Sequence, residues 1–517
     1  MNGAQSLIRT LVRAGVEVCF ANPGTSEMHF VAALDAVREM RGVLGLFEGV
    51  VTGAADGYAR IAGKPAATLL HLGPGLGNGL ANLHNGRRAH TPIVNVVGDH
   101  ATYHKKYDAP LESDIEPVAG SVSGWVRQSD RVADVGADAA ATVAASMEPP
   151  GQVATLILPA DASWGEGGEV AEPLPVRTPA APDPQTVSVI ADVLRSGEPV
   201  ALLIGGRACR AAGLRATSRI ANATGARAFV ETFPARLERG AGLPAIERLG
   251  YFAEQAAKQL DGVRHLIVAG TGSPVSFFAY PDRPSDLVPE GARVHTLAGR
   301  GEDVVAALEA LAEEVAADTA PTVAEPAPPA LPSGPLTRKN WAAVVGALLP
   351  EGAIIADEAN TSGASLPQAT AGAPRHDVLT LTGGAIGQGM PVATGAAIAA
   401  PDRPVLSLEA DGSAMYTISA LWTQARENLD VTTVILNNNA YAVLRLEMQR
   451  VGADLSGPAA KTLLDLSSPA LDFVQLAEGM GVPASRATTC EELADQLRRA
   501  LAEPGPHLIE AMVPAAL

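Results

Sequence analysis

Aromatic residues, cysteine and long apolar runs are what this 517-residue chain has least of. Phe, Trp and Tyr together make 4% of a chain that is 47% hydrophobic, so its cores must come from small and branched aliphatic side chains. With 52 glycines to let elements approach closely, that composition suits helices layered on sheets. Cys19, Cys209 and Cys490 are odd in number, far apart and without a CxxC pair. They exclude a disulfide framework and point to a reducing, cytoplasmic setting. No run reaches the roughly 18–20 apolar residues of a membrane span. The opening residues MNGAQSLIRTLVRAGVEVCF read as an amphipathic helix entering a strand rather than as a cleavable leader. Positive charge is also scarce: the net charge of −18 argues against nucleic acid or an anionic membrane as partner.

The length predicts about two to four domains. Strand-like runs at 16–20, 43–46, 66–71, 93–97 and 154–158, with helical runs between them, predict a parallel α/β unit over 1–165. Proline marks 173–184 as a linker. A second α/β unit is expected over 185–317, with strands at 200–204, 227–230, 265–269 and 293–296. Its Gly205-Gly206-Arg207 lacks the spacing of a dinucleotide loop and reads as a plain turn. The low-complexity stretch 318–335 is a second linker, and 336–517 is a third α/β unit ending in a helix over 491–502 and a strand over 507–513.

The chemistry concentrates in the third unit. An apolar strand at 404–408 leads into Asp411-Gly412-Ser413. A helical stretch with Ile418, Leu421, Trp422 and Ala425 follows, and a strand at 431–436 ends in Asn437-Asn438-Asn439. Parallel strands in a strand–helix–strand unit end at one sheet edge, which brings Asp411 beside the asparagines. The Asp411 carboxylate, the Asn438 amide oxygen and the Ala440 carbonyl form a hard, all-oxygen donor set suited to Mg2+, which completes its shell with phosphate oxygens. Gly412 permits close approach, and Ser413 opens a helix whose free N–H groups favour phosphate. In the first unit Glu48 follows a strand among apolar neighbours (VLGLFEGVV), where desolvation should favour a protonated carboxyl. The plainer alternative is an acid at a helix N-terminus.

Asp-Gly-Ser followed at this interval by a double Asn resembles the cofactor motif of thiamine-diphosphate (ThDP) enzymes, with Ala410 where the family usually has Gly. FEGVVTGAADGYAR resembles the segment carrying the family's glutamate, so Glu48 is expected on the aminopyrimidine ring. Asn22-Pro23-Gly24-Thr25-Ser26-Glu27 is similar to a loop of benzoylformate decarboxylase-like enzymes. There Thr25 would meet the substrate carboxylate and His71 would contact substrate and move protons. The stretch 380–394 resembles the part that bends the cofactor, with Ile386 as the wedge between its rings. The resemblance further places Asn360, Thr361, Gly384, Gly412, Ser413, Asn438 and Tyr441 against ThDP, and Asp411, Asn438 and Ala440 on Mg2+. Gly73 to Asn78 reads as the tight turn before the next helix.

Two departures bear on substrate. Phe278 and Ala279 fall where benzoylformate decarboxylases have a second histidine, and the neighbourhoods of His100 and Pro110 replace acetolactate-synthase substrate residues. No FAD signature is evident. His100 and His104 have the HxxxH spacing of a helical metal pair but no third ligand nearby, so a lid or solvated face explains them better. Lys105 and Lys106 could offer positive charge to an anionic substrate. The resemblance implies three consecutive parallel-sheet α/β domains of pyruvate decarboxylase-like architecture, in a homodimer at minimum, with a homotetramer expected. It also implies ThDP- and Mg2+-dependent decarboxylation of a small-molecule 2-oxo acid through an enamine, released as an aldehyde or ligated to a second carbonyl. An acetolactate synthase-type carboligase and a non-catalytic ThDP-fold binding subunit are the alternatives.

Overall fold

The computed structural model describes residues 1–281, 283–455 and 457–515. The first unit holds strands β1 (Val18–Ala21), β2 (Arg41–Leu44), β3 (Ala66–Leu70), β4 (Ile93–Asp99), β5 (Trp125–Gln128) and β6 (Val153–Pro159). All pair in parallel, in the order β2-β1-β3-β4-β6-β5. β3, β4 and β6 are buried along their whole length, as continuous apolar strands covered by helices on both faces must be. The order reverses between β1 and β3. Such a switch point opens a crevice at the carboxyl ends of the strands. Thr25 follows β1, Glu48 follows β2 and His71 follows β3, so all three candidates emerge at that edge.

The second unit contributes β7 (Val200–Ile204), β8 (Arg227–Val230), β9 (Leu237–Arg239), β10 (Glu247–Arg248), β11 (His265–Ala269) and β12 (Arg293–Ala298). Its five-stranded sheet runs β10-β8-β7-β11-β12 and omits β9. That strand crosses to the third unit and pairs antiparallel with β14 (His376–Thr380), a mixed edge the sequence pattern did not predict. The third sheet is completed by β13 (Ile354–Glu358), β15 (Val405–Ala410), β16 (Val431–Asn437), β17 (Ala484–Ala487) and β18 (His507–Met512), in the order β17-β18-β16-β15-β13-β14-β9. Its switch point lies between β13 and β15, so Asn360, Asp411 and Asn438 share a second crevice edge. Among the described residues no helix is long and apolar enough to cross a membrane. All three cysteines are buried and free, and burial raises the Cys19 thiol to about 12.

The first and third units meet along two helices, Glu48–Ala62 and Gly389–Ala399. Glycine makes the contact possible. A Cβ on Gly57 would overlap the Val392 carbonyl, and one on Gly395 would overlap that of Ala54. Arg60 and Asp56 form a buried ion pair on the same helix. Arg60 also donates to the Thr380 carbonyl (2.8 Å) and the Ala235 carbonyl (3.2 Å), so one guanidinium ties all three units together. Gly57→Ala and Gly395→Ala should each cost about 1–3 kcal/mol through overpacking. Gly77→Ala, where a Cβ meets nothing within 4 Å, should not. Denaturation midpoints of the three variants check this.

Candidate active site

At the first crevice the 22–27 loop leaves β1 and folds into a single 3-10 turn, Thr25–Glu27. Glu27 is buried and accepts hydrogen bonds from Gly24 N (2.8 Å) and Ser26 Oγ (2.9 Å). His71 Nδ1 lies 2.8 Å from its Oε2. With Nδ1 donating to a carboxylate, Nε2 is the nitrogen left free to exchange a proton. Thr25 itself is exposed, and it is Ser26 whose Oγ lies 3.3 Å from His71 Nδ1. Glu27 had not been singled out from the sequence. Its signal was the return bond of an acid to the N–H three residues earlier, as in a capping box.

Glu48 is the first residue of its helix and 7% exposed. Asn78 donates to its Oε2 (2.9 Å), and among the described residues no other side-chain donor reaches this carboxyl. Gly73 to Asn78 does not form a turn before the following helix. These residues are the first turns of that helix, Leu72–Ala89, which is why Asn78 and Gly75 face Glu48.

At the second crevice Asp411 is 2% exposed. Its Oδ1 accepts from Gly412 N (2.9 Å) and its Oδ2 from Asn438 N (3.0 Å), while Asn438 Oδ1 accepts from Ala440 N (2.9 Å). The sheet edge thus brings Asp411, Asn438 and Ala440 together. Burial raises the Asp411 pKa, and the backbone N–H groups of Gly412 and Asn438 oppose that rise. Among the described residues no cationic side chain pairs with it. A buried carboxylate held only by N–H groups is left with charge that a divalent cation would compensate, and the donor set fits Mg2+. Asn360, with φ +48, donates to Ser413 Oγ (2.8 Å), and Thr361 follows it in the same short helix. A Cβ on Gly412 would overlap the Tyr441 ring, so only glycine lets the ring lie on that backbone.

The 382–388 turn lies between the two halves. Its Gly384 and Gly387 have φ of +75 and +93, and Ile386 between them is half-buried, outside the hydrophobic clusters of the described residues. Asn82 Nδ2 bridges the carbonyls of Gly49 (2.8 Å) and Gly387 (3.1 Å), linking the Glu48 helix to the turn. Thr417 Oγ reaches the same Gly387 carbonyl from the Asp411 side (3.0 Å). From the second unit, Phe277 packs on Gly384, where a Cβ would overlap its ring. Phe278, read from the sequence as the histidine-equivalent position, is more than half exposed.

Beneath the turn lie two acids that were not picked out from the sequence. Glu358 Oε1 and Oε2 accept from Gly387 N (2.7 Å) and Gly389 N (2.5 Å). Glu409 is its register partner on the neighbouring strand. Each is 1% exposed. Burial pushes Glu358 up to about 7, and burial together with Glu358 pushes Glu409 well above the usual carboxylate range. Like charges side by side cannot both ionise in such a place.

His100 and His104 do not lie on a helix. They follow β4 in an irregular turn with ring centroids 5.4 Å apart. Among the described residues no group of three His, Cys, Asp or Glu could hold a metal ion. Lys105 is committed to Asp99 (2.6 Å) and Glu112 (3.0 Å), and Lys106 stands over the Tyr107 ring.

The thiamine pyrophosphate enzyme models for the N-terminal and C-terminal TPP binding domains match residues 1–118 and 361–511. A Mycobacterium tuberculosis protein with the provisional name acetolactate synthase large subunit IlvX is 69% identical over 100% of this chain and 99% of its own length. Benzoylformate decarboxylase of Pseudomonas aeruginosa is 32% identical, covering 97% of this chain and 96% of its own. The structure of 4-hydroxybenzoylformate decarboxylase from Rhodococcus jostii superposes with a TM-score of 0.86 at 25% identity, over 99% of both chains. This chain belongs to the thiamine pyrophosphate enzyme family. Its relatives are decarboxylases and acetolactate synthase-like proteins, and its three mostly parallel sheets are the architecture expected of them.

An acid whose folded-state pKa exceeds its unfolded one binds more protons when folded, so its stabilising effect is full at low pH and fades as pH rises. For Glu358 the window runs from the ordinary value of 4.5 to about 7. Across it the melting temperature of the wild type should fall more steeply with pH than that of Glu358→Gln. Thermal melts of both proteins at several pH values measure the two slopes.

Proposed function

We propose that the protein decarboxylates a small-molecule 2-oxo acid using ThDP and Mg2+, releasing an aldehyde or ligating the acyl fragment to a second carbonyl. The observation that carries this reading is Glu48: a carboxyl 7% exposed, oriented by Asn78 and tied through Asn82 to the Gly387 turn. A buried acid placed this way can hold a heterocyclic nitrogen in one tautomer. Bound there, ThDP supplies the electron sink for the carbon that loses CO2.

The protein's own part divides along the two crevices. Asp411, Asn438 and the Ala440 carbonyl hold Mg2+, while Ser413, Gly412, Asn360 and Thr361 receive the diphosphate. Gly384 and Tyr441 would lie against the cofactor, and Ile386 would be the wedge between its rings. Thr25 meets the substrate carboxylate. His71, fixed by Glu27 at 2.8 Å, exchanges a proton through Nε2. We take the working unit to be a cytoplasmic homodimer or homotetramer, with each site completed by a neighbouring subunit. The second unit presents Phe277 to Gly384, a ring with no proton to give, so proton transfer falls to His71 whichever product forms.

Glu48→Gln should reduce CO2 release by about 100-fold or more while leaving Mg2+ and ThDP bound. Unchanged turnover would refute the assignment. Asp411→Ala should instead lose the bound cofactor, seen on denaturing the purified protein and identifying what is released. Product analysis with pyruvate and with benzoylformate separates aldehyde from acyloin, and aldehyde alone rules out the ligase.

A further inference from the structure

Ser26, which touches both His71 and Glu27, also lines a cavity of about 350 Å3. That volume is in the range of small-ligand sites. The cavity opens where β1, β4 and β6 end, on the sheet edge that carries Thr25 and His71. Met28 and Trp164 give it apolar wall, and His29, His100 and His104 give it three imidazoles.

Its lining carries no negative charge. No acidic side chain lines it, although the chain as a whole carries a net charge of −18. The acids nearest in the chain are already engaged. Glu27 takes Gly24 N, Ser26 and His71; Asp99 takes His100 N and Lys105; Asp161 takes Thr102 N and its hydroxyl. The imidazoles are not so engaged. His100 Nε2 is buried without a hydrogen-bond partner, and the His29 and His104 rings rest against Trp164 and Tyr107. Every imidazole has at least one N–H to donate, and a buried ring nitrogen left unpaired needs an explanation. An acceptor group arriving with a ligand would supply it, and an anionic acceptor most strongly.

We propose that this cavity receives the far end of the substrate and that this end is a second carboxylate, so that the preferred substrate is a dicarboxylic 2-oxo acid. The proposal rests on the 2-oxo acid reading above. Thr25 and His71 take the keto-acid end, Met28 and Trp164 pack on the short carbon chain, and His100 and His104 meet the distal carboxylate.

The test uses the full-length protein with ThDP and Mg2+. Calorimetric titration compares glutarate with valerate, unreactive acids of equal chain length that differ in the second carboxylate. Glutarate should bind about tenfold more tightly or better, as expected for charge-assisted hydrogen bonds. His100→Ala and His104→Ala should each erase most of that preference and leave valerate affinity and the melting temperature unchanged. Glutarate should also compete with 2-oxoglutarate for turnover. Equal affinities, a preference untouched by the two variants, or glutarate binding without competition would each overturn the proposal. Equal kcat/KM for 2-oxoglutarate and 2-oxopentanoate would overturn it too, with the 2-oxo acid reading intact. CO2 release from neither acid, with the glutarate preference present, would overturn the reaction while leaving the carboxylate site in place.

Discussion

Both halves of the candidate site take their position from the glycine-lined contact between the Glu48–Ala62 and Gly389–Ala399 helices. One helix begins with the buried acid, and the other begins where the 382–388 turn ends. With side chains absent at Gly57 and Gly395 the backbones touch directly, so their separation is set by van der Waals contact rather than by adjustable rotamers. Arg60 then ties the first helix to the third unit through the Thr380 carbonyl at the end of β14. The result is a turn whose carbonyls and N–H groups are held from both sides, by Asn82 and Thr417 above and Glu358 below.

Some buried acids have a cationic partner and others do not. Asp56 and Asp377 are buried beside arginines. Although burial pushes Asp377 up, Arg236 and Arg403 at 2.6 Å hold it low. Such acids are structural and complete. Asp411, Glu358 and Glu409 are equally hidden but receive only N–H or hydroxyl donors. A charge buried that way destabilises the fold until a proton or a cation joins it. Asp411 lies at one strand edge and Glu358 and Glu409 lie under one turn, while Glu231 in the second unit is held in the same way by Gly206 N and the Thr271 hydroxyl.

Much of the fold was legible because continuous apolar runs between turn signals leave little choice of conformation. The strands at 200–204, 227–230 and 265–269 agree with the structure residue for residue. The meeting of Asp411 with Asn438 was legible for the same reason, since parallel strands end together. What escaped depends on distant partners. β9 has three residues, and only its pairing with β14 makes it a strand. Glu358 and Glu409 lie at strand ends and Glu27 in the short turn after β1, where an acid ordinarily meets water, and only tertiary cover reveals them as buried. The HxxxH spacing of His100 and His104 presumes a helix, a metal reading that the lack of a third ligand already disfavoured, and both residues sit in the turn after β4.

The strand that crosses between units sets a limit on how the chain can be divided. Cutting before the third unit would strip β9 from β14 and leave a fully buried strand with its hydrogen-bonding edge bare. Naked edges of this sort recruit other strands and aggregate. The boundary drawn by the proline-rich segment is therefore a seam in the sequence but not a place where the molecule comes apart.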